Sequence, residues 1–381
     1  MAGPVCLKLP SAGSFCKTFL KRYKKNVSTF VLAFFVPNGL NVLTGIAMKR
    51  TFLSAFLLFF LLVVVSSCGH SKRKIPAVPE SKLPKVQVNI HRYGKALFSL
   101  DLKNFKAGLK KIKPEFLPFL NADLNDTANV NKLFAYVTDT QIRYVYHKTI
   151  KVFPNLNRER LQLSSAFAHL KYYYPAYRLP DVYTYVSDLD YEQPVMKNNH
   201  AVVIALDDYL GEKFPLYTDL NIPLYHRRCM TKKNMVVDVV QTLYRQDFRQ
   251  RFQPKTLLEN MMEGGKELYF LDAILPDVPD TLKICYTQKQ LQWMKQNKKA
   301  VWAVLVKNRF LYSTDYLLIN KMTQPGPFST GFSHDSPPAM ARWFGWQMVR
   351  EYMWKHPKTT LRQLLRMKDA QTLLEDSGYK P

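Results

Sequence analysis

Val182-Tyr183-Thr184-Tyr185-Val186, and beyond it Val202-Val203-Ile204-Ala205-Leu206, decide how the chain reads. The first run is β-branched and aromatic, with Pro180 before it and the polar Ser187-Asp188 after it. Residues of this kind suit a pleated, packed surface, and flanks of this kind end one. The second run is apolar throughout and stops at Asp207-Asp208, which leaves neither face of it for water. Two adjacent, mostly buried strands are expected.

On either side the period changes to that of helices. Ala96 to Leu120 spaces Leu97, Leu100, Phe105, Leu109, Ile112 and Phe116 at near-helical steps, with a break at Pro114. Leu156 to Tyr174 carries Leu161, Leu163, Phe167 and Leu170 and ends at Pro175. Beyond the strands, Met235 to Tyr244, Leu257 to Ile274, Gln288 to Val306, Ser336 to Met353 and Thr360 to Leu374 have apolar residues at three- and four-residue steps. Ser336-Pro337 reads as cap and first-turn proline of the fourth of these, whose apolar side would be Met340, Trp343, Phe344, Val349, Tyr352 and Met353. Trp343, Trp346 and Tyr352 recur at helical spacing and belong to a core. No Pro/Gly/Ser-rich break interrupts 86–381. The fold class is therefore α+β, a helix-rich single domain with a small sheet.

The 381 residues are 47% hydrophobic and 13% aromatic, so the chain can bury a sizeable core and need not be disordered. Its 55 Lys and Arg against 29 Asp and Glu give +26. The first 67 residues hold eight of those cations and no carboxylate, so 47 cations against 29 carboxylates remain, still +18. Such an excess favours polyanions without choosing among them. The cations are scattered among core-like Tyr, Leu and Phe, and no nucleic-acid module is present, so a basic surface beside a membrane is the expectation and nucleic acid is not.

From Met48 the order is Lys49 and Arg50, an apolar run from Phe52 to Val65, then Val65-Ser66-Ser67-Cys68. The order is that of a secretory signal, and the run is shorter than the ~20 residues that span a bilayer. The residues around Cys68 resemble the lipobox of bacterial lipoproteins, in which the thiol is acylated. The reading is thus a mis-assigned upstream start over 1–47, a signal peptide over 48–67, and a lipid anchor at Cys68. A flexible tether to residue 85 includes the basic run Lys72-Arg73-Lys74, and the globular part is 86–381. Cys229 and Cys285 either form one disulfide or stay buried as small hydrophobes.

Several segments together resemble one family. They are Tyr173-Tyr174-Pro175 with Leu179 to Val186, Ile204 to Gly211, Pro223-Leu224-Tyr225, and Tyr269 to Pro276. They continue with Tyr286-Thr287 before Gln290 to Trp293, Ser336-Pro337 before Gly345 to Arg350, and the tail Ser377 to Pro381. In this order they are similar to the gliding-motility-associated lipoprotein GldB of Bacteroidetes-type bacteria. The resemblance implies a membrane-attached, periplasm-facing lipoprotein whose partners are other proteins of the gliding and envelope machinery. That family is in turn distantly similar to zincin-type metallopeptidases, which implies a zincin-like fold.

A zincin holds zinc on two histidines one helical turn apart, with a glutamate beside them and a third ligand from the next helix. Here the second helix offers Glu263, but Met235 to Tyr244 supplies Asp238 and Gln241 and no histidine. None of the eight histidines forms an i, i+4 pair. The expectation is an ancestral peptidase-like fold that no longer does the chemistry, with no cofactor and no identified small-molecule substrate. The competing reading is a metal-dependent hydrolase with a departed site around Asp207, Asp238, Glu263 and His334, in which Asp238 and Glu263 act and Glu263 and His334 hold the metal. Against it, Asp207 and Asp208 sit at a strand end where neighbours face opposite ways, and Glu263 also reads as an exposed carboxylate near Lys266 and Glu267. The Ser- and His-bearing loop Phe328 to Ser336 lacks a nucleophile elbow and reads as a helix lead-in that could line a cleft. A carbohydrate-binding lipoprotein is a third possibility.

Overall fold

The computed structural model describes residues 78–381 apart from Asn199 and Thr330. The expected upstream start, signal peptide, Cys68 and the Lys72-Arg73-Lys74 run lie outside the described residues. The expected tether is described in its last part, where Glu80–Lys82 form one 3-10 turn.

After that turn, strand β1 (Ile90–Arg92) leads into α1 (Tyr93–Phe98) and α2 (Phe105–Ile112). The expected helix from Ala96 to Leu120 is thus divided earlier than Pro114. Asp101 accepts the Lys103 N–H and caps a 3-10 turn between the two pieces. Next come α3 (Thr127–Thr138), α4 (Thr140–Val152) and α5 (Asn157–Tyr173), then β2 (Asp181–Tyr185), β3 (Val195–Asn198) and β4 (Ala201–Ala205). The sheet order is β1-β2-β4-β3. β2 runs parallel to β4 in the register Val182 to Val202 and Thr184 to Ile204, so the two expected strands are indeed neighbours. β3 closes that edge antiparallel to β4.

Alternation along the strands sorts their side chains onto two faces. Val182, Val202 and Ile204 join the large helical core, while Tyr183, Ala201 and Val203 pack with Tyr93, Leu97, Phe105 and Phe116. Both faces are covered, which is why β4 is buried at every position.

The second half is α6 (Pro215–Asp219), α7 (Leu224–Arg227), α8 (Met235–Leu243), α9 (Leu257–Ile274), α10 (Asp280–Lys283), α11 (Gln288–Lys307), α12 (Tyr316–Thr323), α13 (Met340–Lys355), α14 (Leu361–Arg366) and α15 (Ala370–Ser377). Thr256 with Glu259, Thr287 with Gln290 and Thr360 with Gln363 form reciprocal capping boxes that fix the starts of α9, α11 and α14. Asp369 caps α15, so the stretch expected as one helix from Thr360 to Leu374 is two. α13 starts at Met340, later than Ser336-Pro337 suggests. Pro337 and Pro338 hold the lead-in extended, Ala339 takes a left-handed φ of 51°, and Ser336 is spent on the Ser329 backbone instead of capping.

α9 and α13 cross backbone to backbone. A Cβ on Gly345 would stand 1.7 Å from the Met261 carbonyl oxygen, and one on Gly265 would stand 2.3 Å from the Gly345 carbonyl. Next to this crossing Asp272, with no exposure at all, accepts four hydrogen bonds: Lys283 Nζ at 2.9 Å, Trp346 Nε1 at 2.7 Å, and Arg350 Nε and Nη2 at 2.7 and 2.8 Å. Arg350 also forks onto Asp280 at 2.9 Å and stacks on Trp346. Burial alone would push the Asp280 carboxyl up, but the Arg350 hydrogen bonds and charge pull it below its ordinary range. Among the described residues no helix is long and apolar enough to cross a membrane.

Gly345→Ala should cost about 3 kcal/mol of unfolding free energy by denaturant titration, despite the ~1 kcal/mol that alanine gains in a helix. Gly326→Ala, whose added Cβ would meet nothing closer than 3.8 Å, should stay within about 0.5 kcal/mol. Equal costs at the two sites would mean the crossing can relax.

Candidate functional site

Three adjoining hollows follow α8 and the turn after it from the sheet edge to α9. The hollow nearest the sheet, about 290 Å³, is bounded by Glu192 to Val195 beside β3 and by Asp208, Tyr209 and Asp238. The middle one, about 170 Å³, lies against α7, α10 and the start of α13, with Arg228, Gln241, Tyr286 and Gln290 in its wall. The third, about 390 Å³, reaches Glu263 and Glu267 on α9. Arg245 borders all three, and Asp238 and Gln241 border the first two. Each hollow is large enough to take several waters or a side chain.

Asp207 and Asp208 sit in a 3-10 turn, Leu206–Tyr209, rather than on the strand itself, so their separation is not that of a pleat. Asp207 accepts the Ser187 N–H at 2.9 Å and the Leu189 N–H at 2.8 Å. It thereby holds a turn in which Asp188 and Leu189 both have positive φ. The Asp208 oxygens make no hydrogen bond although the residue is 1% exposed. Burial pushes both carboxyls up, and the Leu189 and Ser187 N–H donors on Asp207 oppose the rise there. Burial and the neighbouring Asp207 and Asp190 charges push Asp208 up to about 9, so it carries the proton.

Asp238 is held by the Tyr209 hydroxyl, which donates to it at 2.8 Å. Burial pushes Asp238 up to about 7, against the opposing pull of that hydrogen bond and of Arg245.

Glu263 is 7% exposed, so its reading as a solvent-facing carboxylate is corrected. The Lys266 ammonium, itself 1% exposed, donates to it at 2.9 Å and also to the Met367 carbonyl. Glu267 is shared by Arg245 at 2.8 Å and Arg342 at 3.0 Å. Burial opposes its ionisation, but the Arg342 and Arg245 charges prevail and lower it. His334 is exposed and packs edge-on to Phe328. Among the described residues no three His, Cys, Asp or Glu side chains come together as a metal would need. Asp207, Asp238, Glu263 and His334 are therefore not assembled into one centre. The loop Phe328 to Ser336 stands beside the cleft rather than in it, since its flanks Pro325-Gly326 and Pro338-Ala339 make the wall.

Cys229 and Cys285 are joined, with Cα atoms 5.9 Å apart, at the rim of the middle hollow. Sequence reasoning missed Arg228, Arg245 and Arg342 in the cleft. Their one signal is that Arg245 follows Gln241 at a helical step.

A carboxyl raised on folding stabilises fully below its unfolded value near 4 and loses that contribution as pH rises through its folded value. Asp238 and Asp208 therefore make the protein less stable as pH climbs from about 5 to about 9, while Glu267 and Asp280 act only below about 4.5. Asp208→Asn should flatten the fall in unfolding temperature over that range and raise stability by about 2 kcal/mol at its upper end. A slope unchanged by the substitution would put the proton elsewhere.

No curated protein and no solved structure matches the chain. A family model described as gliding motility protein GldB matches residues 73–381, which takes in every described element and all three hollows. With more than half of its length matched in one stretch, the chain belongs to the GldB family of gliding motility proteins.

Proposed function

We propose that this chain is an envelope lipoprotein, acylated at Cys68 and facing the periplasm, that serves the gliding machinery through protein contacts at its cleft rather than through catalysis. Family membership supports the setting. The Cys229–Cys285 bridge supports the compartment, because such bonds persist where the surroundings are oxidising.

The observation that carries the non-catalytic part is the commitment of the cleft's carboxylates. Glu263 is spent on Lys266, Glu267 on two arginines, and Asp207 on a turn. A catalytic carboxylate must be free to take or give a proton at a substrate. What remains toward the hollows is a protonated Asp208, Asp238 bonded to Tyr209, amides, and the Arg228 guanidinium, a surface suited to hydrogen-bonding a partner. A zincin-like ancestry stays in this reading on the sequence resemblance alone.

The test is replacement in the producing cell. Arg228→Gln should weaken partner binding roughly tenfold and impair gliding while leaving abundance and unfolding temperature within normal range. Glu263→Ala should instead lower stability, since it strands a buried lysine, and its effect on gliding should follow abundance. The reading fails if purified protein holds near-stoichiometric zinc, or if Glu263→Ala stops gliding at undiminished stability.

A further inference from the structure

Val78 and Pro79, the first described residues, line a hollow of about 530 Å³ together with Tyr172, Tyr173, Lys358 and Arg362. The chain toward Cys68 therefore leaves the domain at this face. From Tyr352 to Lys368 the sequence holds Lys355, Lys358, Arg362, Arg366 and Lys368 and no Asp or Glu. All five cations are exposed. α14 buries Leu361, Leu364 and Leu365, so Arg362 and Arg366, one helical turn apart, stand on its outer side.

Two large aromatics are also left to solvent, Tyr172 in the wall of that hollow and Trp354 next to Lys355 in the chain. Trp354, in the last turn of α13, is 49% exposed, and Tyr172 is 38% exposed. Indole and phenol rings present an apolar body and a polar edge, which suits the boundary between headgroup and acyl chain. Exposed cations flanking such rings suit anionic headgroups.

We infer that this face rests on a membrane containing anionic lipid, with Trp354 and Tyr172 at the interface and the cations of 355–368 on lipid phosphates. The inference rests on acylation at Cys68. Nine residues separate Cys68 from Val78, ten steps with a reach of at most about 35 Å, so the tether holds this face near whatever bilayer the acyl chains enter. An acidic protein could satisfy the cations, but it would have no reason to meet them where the tether departs. The bilayer does.

Full-length mature protein reconstituted into two kinds of vesicle tests this. One contains phosphatidylethanolamine with an equal part of phosphatidylglycerol, the other phosphatidylcholine in place of the anionic lipid, and both carry brominated acyl chains. Flotation reads the anchor. Bromolipid quenching of Trp354, obtained by difference from Trp354→Phe, reads the face. Flotation is expected with both lipids, and Trp354 quenching with the anionic mixture alone. Lys358→Gln, Arg366→Gln and Lys368→Gln should each lower the docked-to-undocked ratio about fivefold without changing flotation or unfolding temperature. Equal or absent quenching in the two mixtures overturns the inference, as does quenching indifferent to the three substitutions. So does protection of those lysines from amine labelling by an acidic protein and not by vesicles. Failure to float overturns the anchoring reading instead, and quenching on added vesicles then still decides the face.

Discussion

Everything in the helical half depends on two backbones being allowed to touch. Helices whose contact residues carry side chains stand 8–10 Å apart. Gly265 and Gly345 remove the side chains at the contact, and α9 and α13 close until a carbonyl fills the place of a Cβ. The crossing sets two things at once. Toward the core, Asp272 arrives between Trp346 and Arg350. Toward the outside, Glu267 on one helix meets Arg342 on the other, and Arg342 borders both the middle and the third hollows. Core and cleft are two sides of one contact.

Charge is allotted along the same line. A buried carboxylate without partners is protonated or destabilising, and one with several donors becomes a structural element. Asp272 and Glu267 are of the second kind, Asp208 of the first, and Asp238 lies between, with one hydroxyl donor and a pKa near the working range. The cleft thus combines fixed cations with neutral acids. Its polarity varies with pH at the sheet end more than at the α9 end.

The sequence reading is reliable where burial imposes a period. The two central strands and α5, α8, α9 and α11 stand within about two residues of the expected bounds, because their apolar residues repeat at the step of their own backbone. β1 and β3, three and four residues long, are too short to show a period. α3 and α4 bury only two residues each, so little in them repeats. The split at Asp369 and the late start of α13 turn on local capping and on consecutive prolines, which outweigh the apolar pattern. In the cleft, Asp238 and Glu263 were legible as residues on consecutive helices. Their partners were not, since Tyr209, Lys266 and Met367 reach them through the fold and a lysine three places after a glutamate looks the same on a wet face as in a dry core.

The bridge between Cys229 and Cys285 closes a loop over a sequence separation of 56. In chain-entropy terms such a closure contributes about 4 kcal/mol, a large share of what holds a domain folded. Before oxidation that contribution is missing and the rim of the middle hollow is untied. The reduced chain is accordingly easier to keep extended than the finished protein would be. Oxidation therefore acts as a latch, and the bond, not the apolar pattern alone, completes the cleft.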